Sequence, residues 1–220
     1  MLIANFYGFT YGWFNTRQQR RSLEKAKLQA ELLALKHQIN PHFLFNVLNG
    51  LYGLAFQNDD EPTADGIARL SQLMRYMLYD SNASTVPLEK EVAYLRDYIA
   101  LQRLRIHREV DILFESSSDL GQREIAPMVL IPFVENAFKH GISTVIASYV
   151  HISLILEGNE LRFQVRNPMH PGGQSSSHGA VGGIGLQNVR QRLEMIYPEG
   201  YQLDIGPANG IYEVNLTLHL

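Results

Sequence analysis

A chain of 220 residues has room for one large domain or two small ones, and its hydrophobic content of 45% suits a packed core. The net charge of −3 excludes the broad basic field that draws proteins to nucleic acid, so no direct nucleic-acid partner is expected. Cysteine is absent, which excludes disulfides and cysteine-ligated zinc or iron–sulfur centres and fits a reducing compartment.

Residues 2–14 (LIANFYGFTYGWF) are apolar and aromatic but too few to span a bilayer, which needs about 20. No basic stretch precedes them and no small-residue cleavage pattern follows, so they make a poor signal peptide. Arg17, Arg20, Arg21, Lys25 and Lys27 come next, with Glu24 as the lone acid among them. Aromatics giving way to a basic cluster look like the cytoplasmic end of a transmembrane helix. This predicts a membrane-proximal segment over 1–21, the inner end of a longer membrane protein. A hydrophobic start to a soluble helix is the alternative.

Residues 22–108 read as helical. Leu28, Leu32, Leu35, Ile39 and His42 are spaced 4, 3, 4 and 3 apart, the seam of a coiled coil with a histidine at its last position. That histidine follows Asn40-Pro41, although proline lacks a backbone donor and disfavours helix in the residue before it. A second helix is predicted over about 63–80, with Ile67, Leu70, Met74 and Met77 on one face. A third opens at Pro87 and places Val92, Leu95 and Ile99 at helical spacing. Loops over 58–62 and 81–84 connect them.

From residue 109 the pattern changes to α+β. Strands are expected over 110–115, 150–156, 161–165, 201–205 and 211–220, with a turn at 157–160. Helices are expected near 126–140 and 184–197. These elements suggest helices layered on one antiparallel-rich sheet. On a wheel of the first of these helices, Glu135, Asn136, Lys139 and His140 fall within an arc of roughly 140°. Leu130, Phe133, Val134, Ala137 and Phe138 occupy the complementary arc. An amide and a carboxylate are oxygen ligands suited to Mg²⁺, and the lysine and histidine can meet phosphate oxygens. A solvated face with a Glu135–Lys139 i,i+4 pair is the competing account.

The segment 168–183 (PMHPGGQSSSHGAVGG) holds five glycines, three serines and no formally charged residue, and runs into the helix opening GIGL. A glycine-rich loop entering a helix start offers bare N–H groups and a positive helix end to an anion. A disordered surface loop is the other reading. The segment matches neither a Walker pattern nor a Rossmann turn.

Five motifs now stand in order: QINPHFLFNVLN (38–49), LMRYMLYDS (73–81), VPLEKEVAYLRDYIALQRLR (86–105), PFVENAFKHG (132–141) and GIGLQNVRQRLEMIYP (183–198). Together they resemble the LytS-like sensor histidine kinases over about 24–220. The resemblance implies a helical dimerisation and phosphoacceptor region over 22–108 and a Bergerat-type (GHKL) ATP-binding domain over 109–220. Implied with it are ATP and Mg²⁺, a homodimer, a response regulator that often carries a LytTR domain, and a place at the cytoplasmic face of the bacterial inner membrane.

By this resemblance His42 is the phosphoacceptor and Pro41 loosens or kinks the helix beneath it. Asn46, at i+4 on the same face, can orient the ring. Asn136 is carried over as the Mg²⁺ ligand, Glu135 as a water-orienting carboxylate or base, and Lys139 and His140 as phosphate contacts. The backbone of Gly182, Gly183 and Gly185 would cradle phosphate at the end of a mobile lid. Asn167 stands where the family usually has the aspartate that reads the adenine amino group, so acceptance persists without charge assistance. Phe43 stands where many two-component kinases place an acid beside the histidine. No adjacent base is visible, which keeps a non-catalytic, ATP-responsive scaffold in play, along with a Bergerat-type ATPase that never uses His42.

Overall fold

The computed structural model describes residues 40–106, 109–143, 146–169, 184–208 and 210–220. The chain divides into two compact units, residues 1–50 and 51–220. The described part of the first is the beginning of helix α1, Pro41–Gln57. Asn40 caps it: its Oδ1 accepts from the Phe43 N–H at 3.2 Å and its carbonyl from the Leu44 N–H at 3.2 Å. Pro41 therefore occupies the first helical position, where a missing N–H costs nothing and a fixed φ is an advantage. The Asn-Pro pair that looked anomalous inside a helical pattern is a helix start. The coiled-coil seam at Leu28, Leu32, Leu35 and Ile39 and the membrane-proximal segment 1–21 lie outside the described residues. Among the described residues no helix is long and apolar enough to cross a membrane.

In the second unit, α2 (Glu61–Leu78) and α3 (Leu88–Arg105) form an α-hairpin. Asp60 caps α2 by accepting from the Thr63 N–H at 3.2 Å. The two helices approach closely at Gly66, where a Cβ would come within 2.9 Å of the Leu104 side chain. Arg69 bridges them, meeting Asp65 at 2.7 Å on its own helix and Asp97 of α3 at 2.9 Å.

Five strands follow in one sheet: β2 (Asp111–Ser116), β4 (Tyr149–Glu157), β5 (Glu160–Pro168), β6 (Tyr201–Ala208) and β7 (Ile211–His219). Their order is β2-β4-β5-β7-β6, with β2 and β4 parallel and every other pair antiparallel. Gly158 takes a φ of 61° at the first position of the two-residue turn between β4 and β5, as that turn geometry requires. A second, two-stranded sheet pairs β1 (Val86–Pro87) with β3 (Glu124–Ile125), which no sequence pattern had marked.

Period-two alternation sends Val150, Ile152, Leu154, Leu161, Phe163, Val165, Val214, Leu216 and Leu218 to one face of the sheet. There they share a single core with α3, α4 (Ile131–Gly141) and α5 (Ile184–Ile196), and with Leu73 and Tyr76 of α2. Gln164, Arg166, Glu213 and Asn215 carry polar contacts on the other face. This is the α+β layering expected, with one correction. The helix anticipated from 126 begins at Ile131, because the segment before it forms a turn held by side chains. The Ala126 N–H donates to the Tyr197 hydroxyl at 2.9 Å, the Met128 N–H donates to Glu91, and Met128 takes a φ of 57° that no helix tolerates.

Candidate functional site

His42 lies in the first turn of α1 and is exposed. One turn on, the Asn46 amide nitrogen sits 3.3 Å from His42 Nδ1. Amide oxygen and nitrogen are interchangeable in such a contact. As placed, Nδ2–H donates to the Nδ1 lone pair; with the amide flipped, Oδ1 instead accepts from Nδ1–H, the tautomer that leaves the lone pair on Nε2. The i+4 spacing read from the sequence thus becomes a contact.

On α4 the wheel is realised. Ile131, Phe133, Val134, Ala137, Phe138 and Gly141 are buried, whereas Glu135, Lys139 and His140 are exposed and Asn136 is half-buried. Among the described residues no ion pair joins Glu135 to Lys139, so the pair that would have made this a plain solvated face is not formed. Partial burial lifts the Glu135 carboxyl above the usual carboxylate range. Its charge also pushes Tyr94 and Tyr98 of α3 up, in addition to the larger effect of their own burial. Burial, and then the charge of Lys139, hold His140 below the ordinary histidine value.

Asn167, near the end of β5, is only 2% exposed, and its Nδ2 donates to the Pro168 carbonyl at 3.0 Å. It packs against the last residue of α4. A Cβ on Gly141 would lie 2.4 Å from Asn167 Cβ and 2.9 Å from its Cγ and Nδ2. The glycine is therefore what lets α4, with its polar face, and the amide of β5 adjoin. The sequence carried this glycine at the end of PFVENAFKHG, but a glycine closing a helix reads first as a cap. Gly185 is exposed, second in α5, and a Cβ there would meet nothing. Its φ is not positive, so no backbone conformation demands glycine. Gly182 and Gly183 lie outside the described residues. No cluster of three or more His, Asp or Glu with metal-holding geometry occurs among the described residues. The oxygen donors of Asn136 and Glu135 nevertheless suit a hard cation that draws its remaining ligands from phosphate.

Sequence reasoning missed one buried charge. Glu91 of α3 is fully buried, accepting from the Tyr76 hydroxyl at 2.8 Å and from the Met128 N–H. Burial pushes its carboxyl up to about 7 despite these bonds. The signal was present: Leu88, Glu91, Val92, Leu95 and Ile99 lie on one helical stripe, with an acid where an aliphatic residue belongs.

A family model for histidine kinases matches residues 30–110, which include His42, Asn46 and the α2–α3 hairpin. The sensor protein LytS of Oceanobacillus iheyensis is 30% identical over 204 residues, covering 85% of this chain and 34% of that protein. The chain belongs to the LytS-like sensor histidine kinase family. Two further relatives agree. The sensor histidine kinase YpdA of Escherichia coli is 30% identical over 191 residues, covering 80% of this chain and 32% of its own length. LytS of Bacillus subtilis is 38% identical over 124 residues, covering 54% of this chain and 21% of its own. A solved histidine kinase domain from Erythrobacter litoralis aligns over 89% of this chain and 93% of that one, with 14% identity and a TM-score of 0.49. The chain spans about a third of the length of the first LytS-like relatives it matches.

Proposed function

We propose that the chain is the kinase core of a membrane sensor histidine kinase, using ATP to phosphorylate His42 and passing the phosphoryl group to an aspartate of a response regulator. One observation carries the reading: an exposed histidine stands in the first turn of a capped helix with its Nδ1 held by Asn46. Such a ring presents Nε2 as the nucleophile. The Nε2–P bond forms as the bond from the γ-phosphorus to the bridging oxygen breaks, and ADP carries the electron pair away. Asn46 can hold the Nδ1 proton but cannot take it, and Phe43 offers no base. Transfer therefore depends on positioning and electrostatics more than on proton removal.

In this reading residues 109–220 form a Bergerat-type (GHKL) nucleotide domain. Asn136, with Glu135 beside it, would hold Mg²⁺, which neutralises phosphate charge when bound. Lys139 supplies a cation to the phosphates, whereas His140, held neutral, meets them as an N–H donor. Glu135, with its raised carboxyl, suits the task of orienting water or accepting a proton. Asn167 accepts from the adenine amino group, and Gly182, Gly183 and Gly185 offer backbone N–H groups. Residues 22–108 would pair two chains. Phe43, Val47, Leu51 and Leu54 of α1 remain open to solvent, an apolar stripe that one helix cannot bury. The regulator would be of the kind that carries a LytTR domain, and residues 1–21 would tie the core to the inner membrane.

The test is label transfer from γ-labelled ATP with Mg²⁺. Label on the wild type and none on His42→Ala supports the kinase. Phosphate release that persists in His42→Ala, without protein label, marks an ATPase. Phe43 and Asn167 favour a second reading, a scaffold that binds nucleotide without transfer, and bound ATP with neither label nor phosphate release would establish it.

A further inference from the structure

Glu91 holds parts of the fold together through only one of its two oxygens. It is fully buried on the apolar stripe of α3, and its two oxygens are used unequally. Oε1 accepts from the Tyr76 hydroxyl of α2 and from the Met128 N–H of the turn that leads into α4. Oε2 is the buried side-chain oxygen, among the described residues, left without a hydrogen bond. Such an atom carries the full desolvation cost of a polar group and calls for a partner.

The groups facing it come from every element packed there. Tyr76, with Asp80 beyond it, lies on α2 and Tyr94 on α3; Arg192 and Tyr197 belong to α5 and its exit. Arg192 is the cation in this set. Its charge acts on Glu91 and on Tyr197, yet it forms no ion pair within 4 Å among the described residues. Tyr197 in turn accepts the Ala126 N–H, so residues 126–128 are pinned at one end from α5 and at the other from Glu91. Met128 holds a φ of 57° between these pins, a conformation that a non-glycine residue keeps only when its surroundings impose it.

We propose that Glu91 is a positioning residue for the nucleotide site: through Met128 it sets the start of α4, which carries Glu135 and Asn136, and its second oxygen receives Arg192 when α5 advances on bound nucleotide. The inference rests on the reading of α4 and α5 as a nucleotide site. It gives that site a physical connection to the α2–α3 hairpin, because the same carboxylate is held by Tyr76. With Arg192 withdrawn, burial favours the neutral acid; with Arg192 docked, the ion is favoured. Nucleotide capture and loss of one proton from Glu91 are then linked.

The test measures binding of a non-hydrolysable ATP analogue with Mg²⁺ to the whole chain by calorimetry, from pH 6 to pH 8, together with the melting temperature of each protein. Glu91→Gln keeps an oxygen for Met128 and Tyr76 but cannot attract Arg192. Wild-type affinity is expected to fall as pH drops through 7, with proton release on binding. Glu91→Gln and Arg192→Gln should each lose about tenfold in affinity, become flat across this range, and cost no more together than singly. Equal affinity and the same pH profile in wild type and Glu91→Gln overturn the proposal, as does a change confined to melting temperature. If the wild type itself binds no analogue while remaining folded, the nucleotide reading fails and the proposal fails with it, an outcome distinct from the first two.

Discussion

Gly141→Ala is the smallest change that reaches both α4 and Asn167. An added Cβ would stand 2.4 Å from Asn167 Cβ, whereas carbon atoms rest at about 3.5–4.0 Å. Something must move by about 1 Å. Asn167 cannot yield easily, because β5 is the central strand of the sheet, paired to β7 at Tyr212 and to β4 one residue earlier at Arg166. The shift falls on α4, whose Phe133, Ala137 and Phe138 are buried against the core. Overpacking of this kind costs about 1–3 kcal/mol, and a rigid neighbour puts the expected loss near the upper end, about 3 kcal/mol. For a domain of this size that corresponds to a melting temperature lower by roughly 6–12 °C. Urea and thermal unfolding measure it. Asn167→Gly removes the atoms met first, so Gly141→Ala should cost about 1 kcal/mol less in that background, a coupling readable from a double-mutant cycle. At Gly53 in α1, where a Cβ meets nothing, the same change should stabilise by about 0.5–1 kcal/mol. A Gly141→Ala protein within about 0.5 kcal/mol of wild type would refute the reasoning.

Other expectations follow from the same geometry. Glu91 titrates near 7 in the folded chain against an ordinary value of 4.5, so the fold binds the extra proton between those limits. Its contribution is complete below about pH 4.5 and lost as pH rises through 7, up to about 3 kcal/mol. Glu91→Gln should abolish that loss in urea melts compared at pH 5 and pH 8, and parallel curves for both proteins would contradict it. Asn136→Ala should remove most of the melting-temperature rise that ATP with Mg²⁺ gives the wild type, because stabilisation follows RT ln(1 + [L]/Kd); equal shifts would exclude Asn136 as a metal ligand. Asn46→Ala should slow labelling of His42 by about tenfold or more while leaving ATP affinity intact, and unchanged labelling would remove Asn46 from the mechanism. Charges placed at Leu32 and Leu35 should yield monomers by sedimentation, and a wild type that is itself monomeric at micromolar concentration would defeat the expected homodimer.

Local pattern was enough wherever a side chain's role depends on its own element. Helical spacing alone put Asn46 beside His42 and gathered Glu135, Asn136, Lys139 and His140 on one face of α4, because 3.6 residues per turn fixes those neighbours before any packing occurs. Alternation, β-branched runs and turn residues likewise located the five strands of the main sheet. Contacts between distant segments had no such signature. The two-stranded β1–β3 sheet joins residues some 39 apart in the chain, and the approach of Gly141 to Asn167 depends on how α4 settles on β5. Residues 126–130 look helical by composition, yet the Tyr197 hydroxyl and the Glu91 carboxylate take their N–H groups and hold Met128 outside helical space. Asn40-Pro41 illustrates the same division. Its residue types already favour a helix start, but only the formed cap, with Asn40 accepting from Phe43, decides that the pair begins α1. A buried carboxylate such as Glu91 is set by tertiary structure for the most general reason: its energy depends on which donors the fold brings to each oxygen, and its two donors, the Tyr76 hydroxyl and the Met128 N–H, come from segments far apart in the chain.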